Sequence, residues 1–232
     1  MKALIWHLRG EYASFRPYYL TSIIDTYLFP PKTVIVGMIG AACGWKEDDL
    51  VGYYDKIKVG VKINKIDSIF NDLVKIWKVE HRERKIFVVN KRFLYKPHFT
   101  IYLATPENIK LINHIQNKLN DPIYPITLGD SDSLFYPENS YFVENVNIKN
   151  EPTKCRTFKC LVRKNSGGVI YRKEKIADNL YKIYPKVVKM PIRFRKDRKV
   201  ESLDVLYHCQ GEIELKKEIE AYEFKGEPIY LF

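Results

Sequence analysis

The sequence predicts an α+β fold in which a ferredoxin-like unit, residues 1–150, precedes a smaller strand-rich part, residues 151–232. The first part carries predicted elements in the order strand, helix, strand, hairpin, strand and helix, which is a ferredoxin-like unit before its last strand. The second part shows strand-like segments separated by turn signals, as at Asn165-Ser166-Gly167-Gly168. Hydrophobic residues make up 46% of the chain and charged residues 29%, so a globular protein is expected.

The first strand, loop and helix occupy the N-terminal 44 residues. Residues 2–9 are densely apolar and predict a buried strand. Residues 11–31 are aromatic and irregular, which predicts a long ordered loop. The helix follows, with Thr33 as its N-cap and Gly44 as its end, although its β-branched residues would also allow a strand.

The next segments predict a strand and a hairpin. Residues 56–63 alternate between polar and apolar side chains, so we expect a half-exposed strand with a basic outer face. Residues 66–97 predict a hairpin, because the charged run His81-Arg82-Glu83-Arg84-Lys85 separates two strand-like segments. Residues 98–104 predict the strand that returns to the sheet.

A second helix and a last strand complete the unit. Thr105-Pro106-Glu107-Asn108 predicts a helix start, with a cap followed by proline in the first helical position. The last strand is expected within residues 123–127 or 141–148. No Pro- or Ser-rich linker separates the two parts of the chain, so we expect them to pack together.

The net charge of +11 is unevenly distributed. Residues 151–200 carry +12, whereas the other 182 residues together carry −1. A second basic segment, residues 78–96, has seven basic and two acidic side chains. A local excess of this kind is typical of proteins that bind nucleic acid, although a solvated basic face would give the same counts.

Aromatic residues make up 14% of the chain, and several alternate with basic residues, as in Arg193-Phe194-Arg195. This pattern suits single-stranded RNA, whose bases stack on rings while cations contact phosphates. Alternating rings in a strand are more often core residues, so the pattern alone selects no residue.

Motifs for metal or phosphate chemistry are weak. Cys155 and Cys160, with His208-Cys209 downstream, could form a zinc site, but the loose spacing and the strand-like context favour buried thiols. Asp130-Ser131-Asp132 resembles the start of a calcium loop, without the glutamate that closes one. Gly37-x-x-Gly40 lacks the Lys-Ser/Thr of a P-loop. We therefore expect no metal and no cofactor.

The composition argues against a membrane-spanning or secreted protein and leaves ribonuclease chemistry open. The longest stretch without Asp, Glu, Lys or Arg covers residues 33–45, which is too short for a membrane span, and no signal peptide is apparent. Four cysteines do not make a disulfide framework, so we expect a cytoplasmic protein. Candidates for acid–base ribonuclease chemistry, such as Tyr53, Tyr54, Lys96 and His98, are too plentiful to discriminate.

Several short segments of the first 135 residues occur in a specific order. They are Tyr12-Ala13-Ser14-Phe15-Arg16, Phe29-Pro30-Pro31-Lys32-Thr33-Val34, Gly37-x-x-Gly40-Ala41-Ala42-x-Gly44, Tyr95-Lys96-Pro97-His98-Phe99-Thr100-Ile101-Tyr102 and Thr127-Leu128-Gly129-Asp130-Ser131. In this order they resemble the signature of the fifth CRISPR-associated (Cas) family, which belongs to the RAMP superfamily. Beyond residue 152 only the basic, strand-rich character is similar.

The resemblance implies a ferredoxin-like (RRM/RAMP-type) domain with a projecting β-hairpin, the thumb, around residues 66–97, and a strand-rich C-terminal domain. It further implies a subunit of a type I, Cascade-like effector complex in antiviral defence. Such a subunit caps the 5′ handle of CRISPR RNA (crRNA) and contacts the backbone and large subunits. The basic residues 151–200 are expected to be a general surface for RNA or target DNA.

The expected RNA site combines four places in the chain. They are the loop Ser14-Phe15-Arg16, the helix start at Thr33, the tip cations Arg82, Arg84 and Lys85, and the loop with Gly129 and Ser131. Helix N-termini and loop amides bind phosphates without base preference. Phe15 could equally be a core residue, and Arg16 a surface cation.

One branch of the family cuts repeat RNA with a Tyr before a Trp-Lys pair at the end of the first helix and a Lys-His pair near the start of the second. In this sequence Gly44 precedes Trp45-Lys46, and the second helix opens without a Lys-His pair. We therefore expect a non-catalytic subunit. The alternative is a metal-independent endoribonuclease with Lys96 and His98 as a substitute pair. A stand-alone RNA-binding module outside CRISPR defence is a third interpretation.

Overall fold

The computed structural model describes residues 1–20, 24–80, 83–106, 108–133, 141–177, 180–197 and 199–232. Strands dominate this part of the chain, and helices are few. In chain order, its elements are β1 (Lys2–Arg9), β2 (Tyr12–Ala13), α1 (Lys32–Cys43), α2 (Glu47–Leu50), β3 (Lys58–Lys65), β4 (Ser68–Glu80), β5 (Glu83–Tyr95), β6 (His98–Ala104), α3 (Ile109–Asn120), β7 (Tyr141–Asn147), β8 (Thr153–Phe158), β9 (Val162–Arg163), β10 (Arg172–Ala177), β11 (Leu180–Tyr184), β12 (Lys186–Phe194), β13 (Val200–Tyr207), β14 (Ile213–Phe224) and β15 (Glu227–Ile229).

A four-stranded antiparallel sheet with the strand order β3-β6-β1-β7 lies at the centre. Successive side chains of a strand point to opposite faces, and in β1 both sets are buried. Leu4, Trp6 and Leu8 pack with helices α1 and α3, whereas Ala3 and Ile5 pack with strands after residue 150. Burial on both faces explains why the sequence of β1 is densely apolar rather than alternating.

The two parts of the chain contribute to both cores. The core on the helical face includes Ile39 of α1 and Ile112 of α3, together with Met190 and Val205 from the second part. The core on the other face combines Tyr102 of the central sheet with buried residues of the later strands: Phe158, Leu206, Ile213, Leu215 and Phe224. The parts therefore pack together, as the absence of a linker predicts.

Strand β15 and the residues that follow it cover the edge strand β3. Phe232 exchanges backbone hydrogen bonds with Val59, with N···O distances of 3.0 and 3.3 Å. Lys62 donates to both carboxylate oxygens of Glu227 at 2.8 Å. The predicted basic outer face of this half-exposed strand is therefore partly covered, because β15, which lies far away in sequence, brings a carboxylate to Lys62.

Both long helices begin differently from the prediction. Helix α1 begins after Pro31, which serves as N-cap without a side-chain hydrogen bond, so Thr33 lies inside the helix. Gly44 ends it with a left-handed φ of +70°, as predicted. Helix α3 begins after Asn108, whose side chain accepts from the amide three residues later at 2.9 Å. Thr105 instead donates its hydroxyl to the Asn108 carbonyl at 2.8 Å, so the later of the two possible caps is used.

The last strand of the unit is β7, which corresponds to the second of the two predicted positions. Residues 123–124, in the first position, instead lie against the end of α1. There the Ile123 amide donates to the Ala42 carbonyl at 2.9 Å.

Strands β4 and β5 form a long hairpin, paired from Ser68 with Tyr95 to Glu80 with Glu83. Thirteen residues of strand extend for about 43 Å. The short strand β2 pairs with β5 at the end of the hairpin nearest the central sheet. Residues 81–82 of the turn, including Arg82, lie outside the described residues.

Candidate functional site

Three segments that are distant in sequence meet at the base of the β4–β5 hairpin. The Ser14 hydroxyl donates to the Arg92 carbonyl of β5 at 3.0 Å, and the Ser14 amide donates to the Leu128 carbonyl at 3.2 Å. We call this meeting point of Ser14, Arg92, Leu128 and Gly129 the hairpin junction. It brings together two of the loops that the sequence predicts for the RNA site.

Gly129 allows this close approach. Its φ is +89°, which disfavours residues with a side chain, and a Cβ placed there would lie 2.3 Å from the Ser14 carbonyl oxygen. The loop is closed by hydrogen bonds from Leu128 N to Ser133 O and from Ser133 N to Asp130 O, at 2.9 and 3.0 Å. Ser131 lies exposed in this turn.

The cations nearest the junction have acidic partners. Lys91 is ion-paired with Asp130, and Arg92 with Asp25 at 2.9 Å. Burial lowers the pKa of Lys91, and the charge of Asp132 partly opposes this shift. The positive charges of Lys91 and Arg92 at the hairpin base are therefore balanced by carboxylates.

The residues next to Ser14 have different environments. Phe15 is fully buried, with its ring 5.9 Å from that of Phe99, and its amide donates to Thr26 Oγ1 at 2.8 Å. Its ring therefore cannot stack on a base. Arg16 is exposed, and its Nη2 donates to the Leu20 carbonyl at 3.3 Å.

Thr33 is buried in the first turn of α1 and is not part of the hairpin junction. It lines a separate cavity of about 410 Å³, together with Tyr54 and Arg195. Beside it, Lys32 Nζ donates to the Phe232 carbonyl at 3.1 Å, and burial lowers the pKa of Lys32 to about 8. The side chain of Lys32, the first residue of this helix, is thus already bonded within the protein.

The tip cations are described only in part. Arg82 lies outside the described residues, and Arg84 is placed by its backbone, opposite Val79 in the hairpin. Lys85 is exposed and lies opposite Lys78.

The hairpin exposes apolar side chains on both faces, which sequence reasoning missed. Trp77 and Ile86 are cross-strand partners on one face, 62% and 54% exposed. Ile76 and Phe87 are partners on the other face and are also exposed. Further exposed apolar residues of the hairpin are Ile69, Phe70, Leu73 and Val88. Adjacent apolar pairs in the sequence, as at residues 69–70 and 76–77, are the signal that could have indicated two apolar faces.

The alternative catalytic pair has unfavourable chemistry. His98 Nε2 is buried and has no hydrogen-bond partner within the described part of the chain. Burial lowers the pKa of His98 to about 4, with smaller contributions from Arg9 and His7. The imidazole is therefore neutral at pH 7 and could act as a base but not as an acid. Lys96 is exposed, with its Nζ over the Tyr95 ring at 4.9 Å.

The cysteines are free thiols, and the described residues contain no group of three or more potential metal ligands from His, Cys, Asp and Glu. Cys160 is buried and accepts from the Tyr230 amide at 3.3 Å, whereas Cys155 donates to the Thr157 carbonyl at 3.2 Å. In the same ranges, no helix is long and apolar enough to cross a membrane.

Comparison with protein families finds a match over residues 3–195 to the family described as CRISPR-associated protein (Cas_Cas5). No curated protein matches the sequence significantly. Among solved structures, a chain of a CRISPR RNA-guided surveillance complex is similar, with a TM-score of 0.57 and 15% identity over 94% of this chain and 91% of that chain. A CRISPR protein from Archaeoglobus fulgidus has a TM-score of 0.53 and 11% identity over 99% of this chain and 98% of that chain. At these identities the similarity concerns the fold.

Proposed function

The chain belongs to the CRISPR-associated Cas5 family, and from this we propose that it is a non-catalytic RNA-binding subunit of a type I, Cascade-like effector complex. In this role it caps the 5′ handle of crRNA and contacts backbone and large subunits, in antiviral defence in the cytoplasm. One observation carries the proposal: the hairpin junction lies at the base of a hairpin that exposes apolar side chains on both faces.

The proposal treats the central sheet with α1 and α3 as the ferredoxin-like unit of RAMP proteins. The sheet order β3-β6-β1-β7, with α1 between β1 and β3 in the chain and α3 between β6 and β7, supports this assignment. The β4–β5 hairpin, inserted in the chain between the second and third strands of the unit, β3 and β6, then corresponds to the thumb.

The RNA side of the proposed site is built from backbone groups and surface cations. Arg16 and Ser131 are exposed beside the junction, and Lys85 is exposed towards the hairpin tip. Such groups hold phosphates and 2′-hydroxyls without needing a base-stacking ring. Phe15 supports the loop from the core, which is the role its burial allows.

The protein partners are assigned to the apolar faces of the hairpin. Large exposed apolar patches on soluble proteins are typical of interaction sites. A hairpin that is apolar on both sides has to be covered on both sides to remove this surface from water. Backbone and large subunits are the partners that the family assignment suggests.

Charge reversal at the hairpin tip tests the proposal. The full chain with Arg82→Glu, Arg84→Glu and Lys85→Glu should bind repeat-derived handle RNA at least tenfold more weakly, because three phosphate contacts are lost. Assembly with the other subunits should fall as well. Fluorescence anisotropy and co-purification measure the two effects.

The matched control changes Lys110, Lys118 and Lys149 to Glu, three lysines of the first part of the chain outside the hairpin and the junction. It carries the same change in net charge and should retain binding. Unchanged affinity and assembly in the tip variant would contradict the assignment. A separate incubation of the pure chain with repeat RNA in EDTA should leave the RNA intact. A discrete product that disappears with His98→Ala would support the endoribonuclease instead.

A further inference from the structure

The cavity at the start of α1 is separate from the hairpin junction, with which it shares no residue. Its volume is about 410 Å³, which is within the usual range of small-molecule sites. Helix α1, residues 47–54 and the end of β12 form its walls. We call it the α1 cavity. The chemistry of these walls indicates which ligand it can hold.

Gly37 leaves one wall of the α1 cavity open. It lies inside α1, one turn after Thr33 and on the same face, and both residues line the cavity. Apart from the backbone of α1 itself, no atom of the described residues lies within 4 Å of the position that a Cβ would take at Gly37. At Gly40, in contrast, a Cβ would lie 2.5 Å from the Leu50 side chain. Packing therefore explains Gly40, whereas Gly37, which disfavours the helix, leaves space that a ligand can occupy.

Two buried hydroxyl groups line the α1 cavity without a hydrogen-bond partner in the described part of the chain. They belong to Thr33, which is 6% exposed, and to Tyr54, which is 4% exposed. Since neither is among the unpartnered atoms that the protein fully encloses, both hydroxyls are open to the cavity. Buried polar groups are nearly always hydrogen-bonded, so this pair indicates a polar ligand. Burial, together with the charge of Glu47, raises the pKa of Tyr54, so its hydroxyl stays protonated at pH 7 and can donate.

The start of α1 suits an anionic group of such a ligand. The N-cap, Pro31, makes no side-chain hydrogen bond, and the first turn contains no acidic residue. An uncapped helix start has unpaired amides and a partial positive charge, and it binds phosphate groups. Of the two cations in the cavity lining, Arg195 is held by Glu201 at 2.5 Å, whereas Lys196 is exposed.

The opposite wall suits hydroxyl groups and a ring. Glu47 and Asp48, in the first turn of α2, line it. These carboxylates would repel an isolated phosphate ion, but they accept hydrogen bonds from hydroxyl groups. Phe194, which is 36% exposed, offers an apolar surface next to Tyr54, with the two ring centres 6.5 Å apart. A phosphate at a helix start and ribose hydroxyls on a carboxylate are a combination that other folds use to bind nucleotides.

We propose that the α1 cavity binds one ribonucleotide, with its phosphate at the start of α1, its ribose hydroxyls on Asp48 and its base against Phe194. The Thr33 and Tyr54 hydroxyls are donors to this ligand. A free ribonucleoside 5′-monophosphate and the 5′-phosphorylated end of an RNA share this chemistry, and the test separates the two sources. The inference does not depend on handle recognition, because the cavity lies outside the hairpin junction.

Isothermal titration calorimetry of the full chain with the four ribonucleoside 5′-monophosphates tests the proposal. At least one should bind, and its 2′-deoxy analogue should bind about fivefold more weakly, because one hydroxyl is lost. Thr33→Val keeps the shape of the side chain and should weaken binding about tenfold, since hydrogen bonds to charged groups are the stronger ones. Gly37→Leu should abolish binding, because the new side chain enters the cavity. Its thermal unfolding midpoint should not fall, because leucine favours a helix more than glycine does.

The matched control is Asn117→Leu, which adds a leucine at an exposed position of α3 outside the cavity and should leave nucleotide binding unchanged. A 5′-phosphorylated RNA hexamer of the best-bound base identifies the source. If Gly37→Leu weakens binding of the mononucleotide alone, the ligand is a free nucleotide, and if it weakens binding of the hexamer as well, an RNA end also enters the cavity.

Four outcomes would overturn the proposal: no binding of any mononucleotide, equal affinity for inorganic phosphate or for the 2′-deoxy analogue, unchanged binding by both Gly37→Leu and Thr33→Val, or an equal loss in the control. The charge-reversed hairpin-tip variant should still bind the mononucleotide. Failure of handle binding and failure of nucleotide binding are therefore distinguishable.

Discussion

At the scale of single residues, the hairpin junction depends on backbone contacts that leave no room for a side chain. Ser14 uses both its amide and its hydroxyl to join a loop and a strand. Its carbonyl oxygen occupies the place where a side chain at residue 129 would begin. Gly129 is therefore required for two reasons, the space and the left-handed backbone.

Replacing Gly129 by Ala should separate these two contributions when compared with Gly226→Ala. Gly226 has a similar φ of +84°, but no atom lies within 4 Å of the position that a Cβ would take there. We expect Gly226→Ala to cost about 1 kcal/mol of unfolding free energy and Gly129→Ala about 3 kcal/mol, because only the latter also displaces backbone. Urea denaturation measures both, and equal losses would show that the contact with Ser14 is unimportant.

Sequence reasoning selects Ser14, Phe15 and Arg16 together, and the structure gives each a different role. An isolated backbone bridge between Phe15 and Tyr27 orients the segment, so that the ring enters the core while Ser14 reaches the junction. A bridge of one residue pair in an irregular loop leaves no periodic pattern. The sequence could therefore identify the segment but not the role of each residue.

At the scale of elements, the β4–β5 hairpin combines a base that is fixed to the rest of the protein with a shaft that is exposed. The shaft consists of residues 69–77 of β4 and 86–88 of β5. The base is held by the short strand β2, the ion pair of Lys91 with Asp130 and the junction. Along the shaft, apolar side chains on both faces remain in contact with water. An isolated two-stranded hairpin is only marginally stable, so the fixed base and an external partner both matter.

The double variant Trp77→Thr and Ile86→Thr tests whether this apolar surface is used for assembly. The two residues are cross-strand partners, and threonine keeps the strand propensity. The unfolding free energy should change by less than about 1 kcal/mol, because both side chains are largely exposed. Affinity for partner subunits should fall by about 2 kcal/mol or more, since buried Trp residues are frequent hot spots.

Titration of the purified partner subunits against the variant measures this affinity. The control is Ile109→Gln, which removes an exposed apolar side chain from helix α3, outside the hairpin. Assembly that is insensitive to the hairpin pair, or equally sensitive to the control, would argue against the apolar shaft as the interface.

The sequence predicts some helices and strands well and others poorly, and each difference has a physical reason. The hairpin could be predicted because a charged run separates two strand-like segments, and β1 because its residues are densely apolar. The start of α3 could not, because Thr105 and Asn108 are both good caps and their competition is decided by local geometry. The covered face of β3 depends on Glu227, a partner that the pattern of one segment cannot identify.

At the scale of the whole molecule, the central sheet belongs to both cores. Its helical face is completed by residues from the second part of the chain, and its other face is covered by the later strands. Charge is shared in the same way, since Arg193 is bound by Asp55 of the first part at 2.8 Å. Counting charges along the sequence therefore overestimates the positive surface that residues 151–200 present to a ligand.

A shared sheet predicts that the two parts unfold together, and tryptophan fluorescence can test this. All three tryptophans, Trp6, Trp45 and Trp77, lie in the first 150 residues, whereas Leu215 is buried in the second core. Leu215→Ala should cost about 3 kcal/mol, because it leaves a cavity in a packed core. If unfolding is cooperative, the urea midpoint seen by the distant tryptophans should fall by the corresponding amount, in one transition that coincides with the circular dichroism transition. A fluorescence midpoint that stays in place while circular dichroism shows an earlier loss of strands would mean that residues 151–232 unfold independently.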